Sequence, residues 1–144
     1  MLSFKKTGKQ SIGKTRGGWN TKLHVVSAND KVVVGISLSG GECHDTPEGR
    51  KLLRAIGKSN ALIPLLMDKA YEGDETRNTA EIMGYLPVVP LKSNRKEPWE
   101  YDKQLYKRRN VVERLFRRVY TRYDKLDEIY LGFVYFCFSF IWLN

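Results

Sequence analysis

The chain has 144 residues, 42% hydrophobic and 28% charged, with a formal net charge of +9 and a pI near 9.6. That length is one domain's worth, long enough to bury a core, and the composition excludes a disordered or fibrous chain. Two cysteines without CxxC spacing exclude a disulfide framework and a cysteine zinc site and fit a reducing cytosol, while the surplus of cations points to a polyanionic partner, nucleic acid first.

Residues 1–18 are rich in Lys, Gly and Ser and read as a basic arm, without the apolar core of a signal peptide. Within the arm, GKQSIGKT (8–15) matches the phosphate-loop pattern G-x-x-x-x-G-K-T. That chemistry needs a buried strand before the loop and a helix after it, so that backbone amides wrap the phosphates. Only seven residues precede Gly8, Lys5 and Lys6 among them, and Gly17-Gly18 oppose a helix. The match is a coincidence of composition.

TKLHVVSA (21–28) alternates as a strand does, NDK makes a turn, and VVVGISLSG (32–40) completes a hairpin. Gly40 and Gly41 break the pattern. Thr46 as N-cap with Pro47 at the first helical position predicts a helix through RKLLRAIG, ending near Gly57. ALIPLLM (61–67) is continuously apolar and predicts a buried strand, although Pro64 favours an edge. Asp68 stands where that run stops. DETRNTAEIMG (74–84) predicts a helix closed by Gly84, YLPVVP (85–90) a short strand, and residues 92–103 a polar loop. A basic helix over 105–120 and an aromatic helix at the C-terminus follow. The uncharged run LGFVYFCFSFIWL has thirteen residues, fewer than the ~20 of a membrane span, and predicts a buried helix. The order β-β-α-β-α-β-α-α predicts an α/β fold, in which ligands gather at the carboxyl ends of strands. Asp68 sits at such an end.

Charge is unevenly distributed. Residues 1–22 hold six Lys or Arg and no acid, and residues 92–125 hold twelve against five acids. Between them, Asp68 to Glu81 holds five acids and two bases. Two basic zones around an acidic patch suit a phosphate backbone passing a metal site. Glu113 is the lone acid of YKRRNVVERLF (106–116). On one helix Tyr106, Arg109, Glu113 and Arg117 share a stripe. Two readings stay open there. One is a ladder of i,i+4 ion pairs, worth only about 0.3–0.5 kcal/mol each. The other is a carboxylate that shares a divalent cation with Asp68, since hard cations take carboxylate oxygens and two of them can serve phosphodiester chemistry. His24 and His44 are too few and too scattered for a metal or triad site, and a histidine within a strand is ordinarily a hydrogen-bonded structural one. Trp99 and Tyr101 suit either stacking on a splayed base or packing on the domain.

These residues also carry a family resemblance. IGKTRGGWNTKLH (12–24), SGGECHD (39–45), DKAY (68–71), SNRKEPWEYDKQLYKRRNVVERLF (93–116) and TRYDK (121–125) together resemble the C-terminal half of bacterial insertion-sequence DDE transposases. The resemblance spans roughly residues 10 to 143 and implies an RNase H-like mixed sheet with flanking helices. Tyr106, Arg109 and Glu113 match the family's Tyr-x2-Arg-x3-Glu-x6-Lys signature. The resemblance makes Asp68 and Glu113 catalytic metal ligands for Mg²⁺, with Mn²⁺ as substitute, and Tyr106 and Arg109 positioning groups. It implies cleavage and transfer of double-stranded DNA at transposon ends, in a cytoplasmic, nucleoid-associated setting away from membranes. Candidate backbone contacts are Lys92, Arg95, Lys96, Lys107, Arg108 and Arg114, sequence-neutral and salt-sensitive.

Two departures accompany the match. The family's first catalytic aspartate lies on a strand upstream of GGWNTK, so residues 19–144 are expected to form a partial catalytic domain lacking that first strand. The signature lysine also fails, because Tyr120 stands at its position. The expectation is a transposase fragment complemented by an upstream fragment, with a homo-oligomer left open. The alternative is a non-catalytic DNA-binding remnant. An interaction protein using the aromatic C-terminus is a third class, which predicts little DNA affinity.

Overall fold

Alternating, β-branched sequence builds the first layer. The computed structural model describes residues 10–118 and 127–143. Strands β2 (Gly18–Ser27) and β3 (Val33–Gly40) form the expected antiparallel hairpin, paired from Thr21↔Gly40 to Ser27↔Val33 with a register shift between Val26 and Ser27. Asn29 shapes its turn, its side-chain oxygen accepting from the N–H groups of Lys31 and Val32 at 2.9 Å each. Ahead of the hairpin, β1 (Gly13–Thr15) folds back on Gly18–Asn20. The expected arm is therefore corrected at its C-terminal end. Arg16-Gly17 makes a tight turn closed by Thr15, whose hydroxyl donates to Gly18 O at 3.1 Å. Gly13, Lys14 and Thr15 are strand residues, so the phosphate-loop match has no helix to follow it.

The hairpin is covered on both faces. Tyr130, Val134 and Phe138 of α5 (Asp127–Leu143) repeat at helical spacing and pack on Leu23, Val25, Val33, Ile36 and Leu38. On the other face lies α1 (Asp45–Ile56), where Leu52 and Ile56 approach the bare backbone of Gly35. α1 starts at Asp45 rather than after a Thr46 cap, and His44 flanks it without a side-chain cap bond. Asp45 and Glu48 in the first turn suit the helix dipole instead. The helix ends at Gly57 as expected.

The second unit is β4 (Ile63–Leu66), α2 (Asp74–Ile82) and β5 (Tyr85–Val88), a parallel pair joined by a helix. Gly84 turns the chain from α2 into β5 at φ 80°, and a Cβ there would stand 2.3 Å from the carbonyl oxygen of Ser59. β4 is not the buried strand that its apolar run predicts. Ile63 is 48% exposed, because among the described residues only β5 pairs with β4. Its proline fits such an edge. The architecture is mixed α/β in two sheets, three antiparallel strands and two parallel ones, not joined among the described residues.

The basic helix is also interrupted. α3 (Lys103–Tyr106), capped by Asp102, passes through a 3₁₀ turn over Lys107–Arg109 into α4 (Asn110–Arg118). Three residues per turn bring Tyr106 and Arg109 into line. The TRYDK segment and Tyr120 lie outside the described residues. No helix among those described is long and apolar enough to cross a membrane, α5 having 17 residues.

Candidate functional site

Asp68 stands one residue beyond β4, after Met67, and opens a 3₁₀ turn over Lys69–Tyr71, its Oδ1 accepting from Ala70 N–H at 3.1 Å. That bond fixes the carboxylate and leaves Oδ2 for Arg109, whose Nη2 donates to it at 2.5 Å. Nη1 of the same guanidinium donates to Glu113 Oε1 at 3.0 Å. One arginine thus bridges two carboxylates distant in sequence. The side chains of Asp68 and Glu113 remain 44% and 51% exposed, so their outer oxygens are open to solvent. Tyr106 stands close enough to Arg109 and Asp68 to feel both charges, and makes an edge-on contact with Tyr101. Burial raises its pKa, with Arg109 opposing.

Beneath Asp68 lies a layer that sequence reading did not assemble. The Tyr71 ring packs against α1 at Gly49, where a Cβ would come within 2.6 Å of the ring. Its hydroxyl meets His24 Nδ1 at 2.9 Å, and His24 Nε2 meets Ser39 Oγ at 2.8 Å. Both ring nitrogens are partnered, as expected of a structural histidine in a strand. Desolvation lowers the pKa of His24, while Asp45 and Glu48 pull it back. Burial pushes the Tyr71 hydroxyl far above the usual tyrosine range, helped by Asp45 and Asp68. This chain ties the turn that holds Asp68 to the hairpin. The available signal was the tyrosine three positions after Asp68 and a lone histidine on the same strand as Lys22, which itself pairs with Asp45 at 2.8 Å.

The candidate phosphate contacts divide. Lys92 pairs with the buried Glu72 at 3.2 Å. Arg95 pairs with Asp74 and stacks over Trp99. Trp99 also carries Arg77 at 3.8 Å from its ring centroid and donates from Nε1 to Val89 O at 3.1 Å. Packing therefore claims Trp99 and engages Lys92 and Arg95. Lys107 bonds Gln104 at 3.0 Å, and Lys107, Arg108 and Arg114 stand exposed along the run that carries Glu113. Lys96 is exposed in the loop before it.

No group of three His, Cys, Asp or Glu side chains converges among the described residues. The donor chemistry still fits a hard cation, because Mg²⁺ is commonly held by one or two carboxylates with water and substrate phosphate completing its shell.

Residues 2–132 match the family model described as "Transposase DDE domain". A Brucella ovis protein named "Putative transposase for insertion sequence element IS6501" is 27% identical over 131 residues, covering 86% of this chain and 98% of that protein. No solved structure matches the chain. A family match over nearly the full length, on a chain whose Asp68 and Glu113 share one arginine, identifies the protein as a member of the insertion-sequence DDE transposases.

Proposed function

We propose that Asp68 and Glu113 are two carboxylates of a divalent-metal site for DNA cleavage and strand transfer at transposon ends. The fold would be RNase H-like, with residues 19–144 forming a partial catalytic domain. The observation that carries this is the convergence of the two acids on Arg109 at the carboxyl end of a parallel strand. Mg²⁺ or Mn²⁺ would activate the attacking oxygen and stabilise the leaving one. The protein's own part is to hold Asp68 by its turn, to hold Glu113 on α4, and to offer cations to double-stranded DNA. The Arg109 fork matches a phosphate as well as a carboxylate. Lys96, Lys107, Arg108 and Arg114 would grip the backbone without reading sequence.

One feature favours a second reading, a DNA-binding remnant without chemistry. Arg109 already pairs with both acids, and no third ligand joins them among the described residues. The deciding experiment is Mn²⁺-dependent nicking of transposon-end DNA by the chain alone and with an upstream transposase fragment added. Nicking in the mixture, lost in Asp68→Ala and in Glu113→Ala, supports the catalytic reading. DNA binding without nicking in either sample overturns it.

A further inference from the structure

Asp68 and Glu113 stand on separate segments, so the gap between them must be set by whatever joins those segments. Asp68 is held by its own turn. Glu113 is held less directly. Among the described residues, the backbone hydrogen bonds of residues 103–118 lie within that run or reach back to Asp102, and none joins it to a strand.

The loop leading into the run is fastened to the segment that carries Asp68. Glu72 follows the Lys69–Tyr71 turn and is 5% exposed, a buried acid that the proposed chemistry does not use. It accepts from the N–H of Lys92 at 3.3 Å and pairs with its Nζ at 3.2 Å. A buried carboxylate is costly without such partners, so the pair ties the two segments together. Two residues on, Asp74 pairs with Arg95 and, at 3.6 Å, with Arg77. Both guanidiniums lie over the Trp99 ring, Arg77 at 3.8 Å and Arg95 at 4.9 Å from its centroid. The electron-rich face of the ring attracts both cations. Its Nε1 donates to Val89 O at 3.1 Å, just past β5. Trp99 is thus fixed to α2 and to the end of the strand that pairs with β4.

Only Glu100 and Tyr101 separate Trp99 from Asp102, whose Oδ1 caps α3 by accepting from Gln104 and Leu105 N–H at 2.9 Å each. Three residues of chain span at most about 11 Å, so fixing Trp99 restrains the start of the helical run. Tyr101 adds a second attachment, its ring meeting Tyr106 edge-on at 5.8 Å between centroids. Arg109 lies one turn further on and reaches Asp68, and Glu113 lies one turn beyond that.

We infer that Trp99 is a positioning residue for Glu113. Gripped by Arg77 and Arg95, it docks residues 102–113 on the segment 68–74 and so sets the gap that a divalent cation spans between the two carboxylates. The inference rests on the reading of Asp68 and Glu113 as one metal site.

Trp99→Leu removes the ring, whereas Trp99→Phe keeps a face for both cations. Hydrogen exchange, read without metal or DNA, follows the amides of Gln104, Leu105 and Tyr106. Trp99→Leu speeds them about ten-fold, as local opening of a loosened segment does. Trp99→Phe leaves them near the parent rate, and the Met67 amide of the β4–β5 pair changes in neither variant. Electron paramagnetic resonance of free Mn²⁺ shows binding about ten-fold weaker in Trp99→Leu, because one of two carboxylate ligands is no longer held in place. In a Glu113→Ala background the same substitution leaves Mn²⁺ binding unchanged, which a general loss of structure would not do. Asp74→Asn, at an exposed carboxylate, moves both readouts in the same direction and serves where Trp99→Leu does not fold. Unchanged amides in Trp99→Leu, or in Asp74→Asn in its place, overturn the inference. So does equal loss in Trp99→Phe, or a weakening of Mn²⁺ binding that persists in the Glu113→Ala background. A parent chain that binds no Mn²⁺ refutes the metal reading instead, while the exchange rates still decide whether Trp99 holds the run.

Discussion

Replacing Arg109 by alanine separates the roles of its two ion pairs. Its guanidinium meets Asp68 at 2.5 Å and Glu113 at 3.0 Å, with all three side chains partly exposed. The i,i+4 pair with Glu113 contributes about 0.3–0.5 kcal/mol, and the pair with Asp68 up to about 1 kcal/mol, because solvent screens both. Arg109→Ala should therefore lower folding stability by about 1 kcal/mol, visible as a shifted urea midpoint at unchanged slope. The same ~1 kcal/mol opposes a cation that claims the two carboxylates. Since about 1.4 kcal/mol corresponds to a factor of ten, Arg109→Ala should bind Mn²⁺ about five-fold more tightly than the parent chain. Titration calorimetry, or electron paramagnetic resonance of free Mn²⁺, measures it. Equal or weaker binding in the variant would refute the competition between arginine and cation. It would also remove the reason for treating the two acids as one site.

The remaining predictions concern the layer under the site and the core. Because burial lowers the pKa of His24, the unfolded chain takes up a proton before the folded one does. Stability should be constant above about pH 7 and fall as pH drops through 6.5 toward the depressed folded value, and His24→Gln should flatten that slope in urea midpoints measured from pH 5 to 8. Gly49→Ala places a methyl 2.6 Å from the Tyr71 ring and should cost about 1–3 kcal/mol, with a changed near-ultraviolet tyrosine signal reporting the displaced ring. Val134→Ala, at a fully buried position between α5 and the hairpin, should cost roughly 1–3 kcal/mol by denaturant titration.

Local chemistry made much of the fold legible. The alternation of TKLHVVSA and VVVGISLSG gave the hairpin, and Gly57 and Gly84 marked the ends of α1 and α2. The misses arose where tertiary context overrode pattern. GKT became strand because it faces Gly18–Asn20 across a two-residue turn, which a three-residue segment cannot announce by periodicity. ALIPLLM looked buried, yet Ile63 is half exposed, since apolar content does not say whether a neighbouring strand is present to cover an edge. At the site, Asp68 and Glu113 were visible as acids in a meaningful place. Their junction through Arg109 was not, because Asp68 and Arg109 are 41 residues apart and only the fold sets that distance. Tyr71 escaped notice for the same reason, being defined by Gly49 and His24 on other elements.

The central claim is that one divalent cation is shared by Asp68 and Glu113, and Fe²⁺ can report it without DNA or a partner chain. Fe²⁺ bound in place of Mg²⁺, with ascorbate and peroxide, generates hydroxyl radicals that cut the polypeptide near the metal. The account predicts cuts beside Asp68 and beside Glu113, suppressed by excess Mg²⁺ and lost together in Asp68→Ala or Glu113→Ala. Cuts confined to other segments, or cuts at one acid that survive removal of the other, would contradict it.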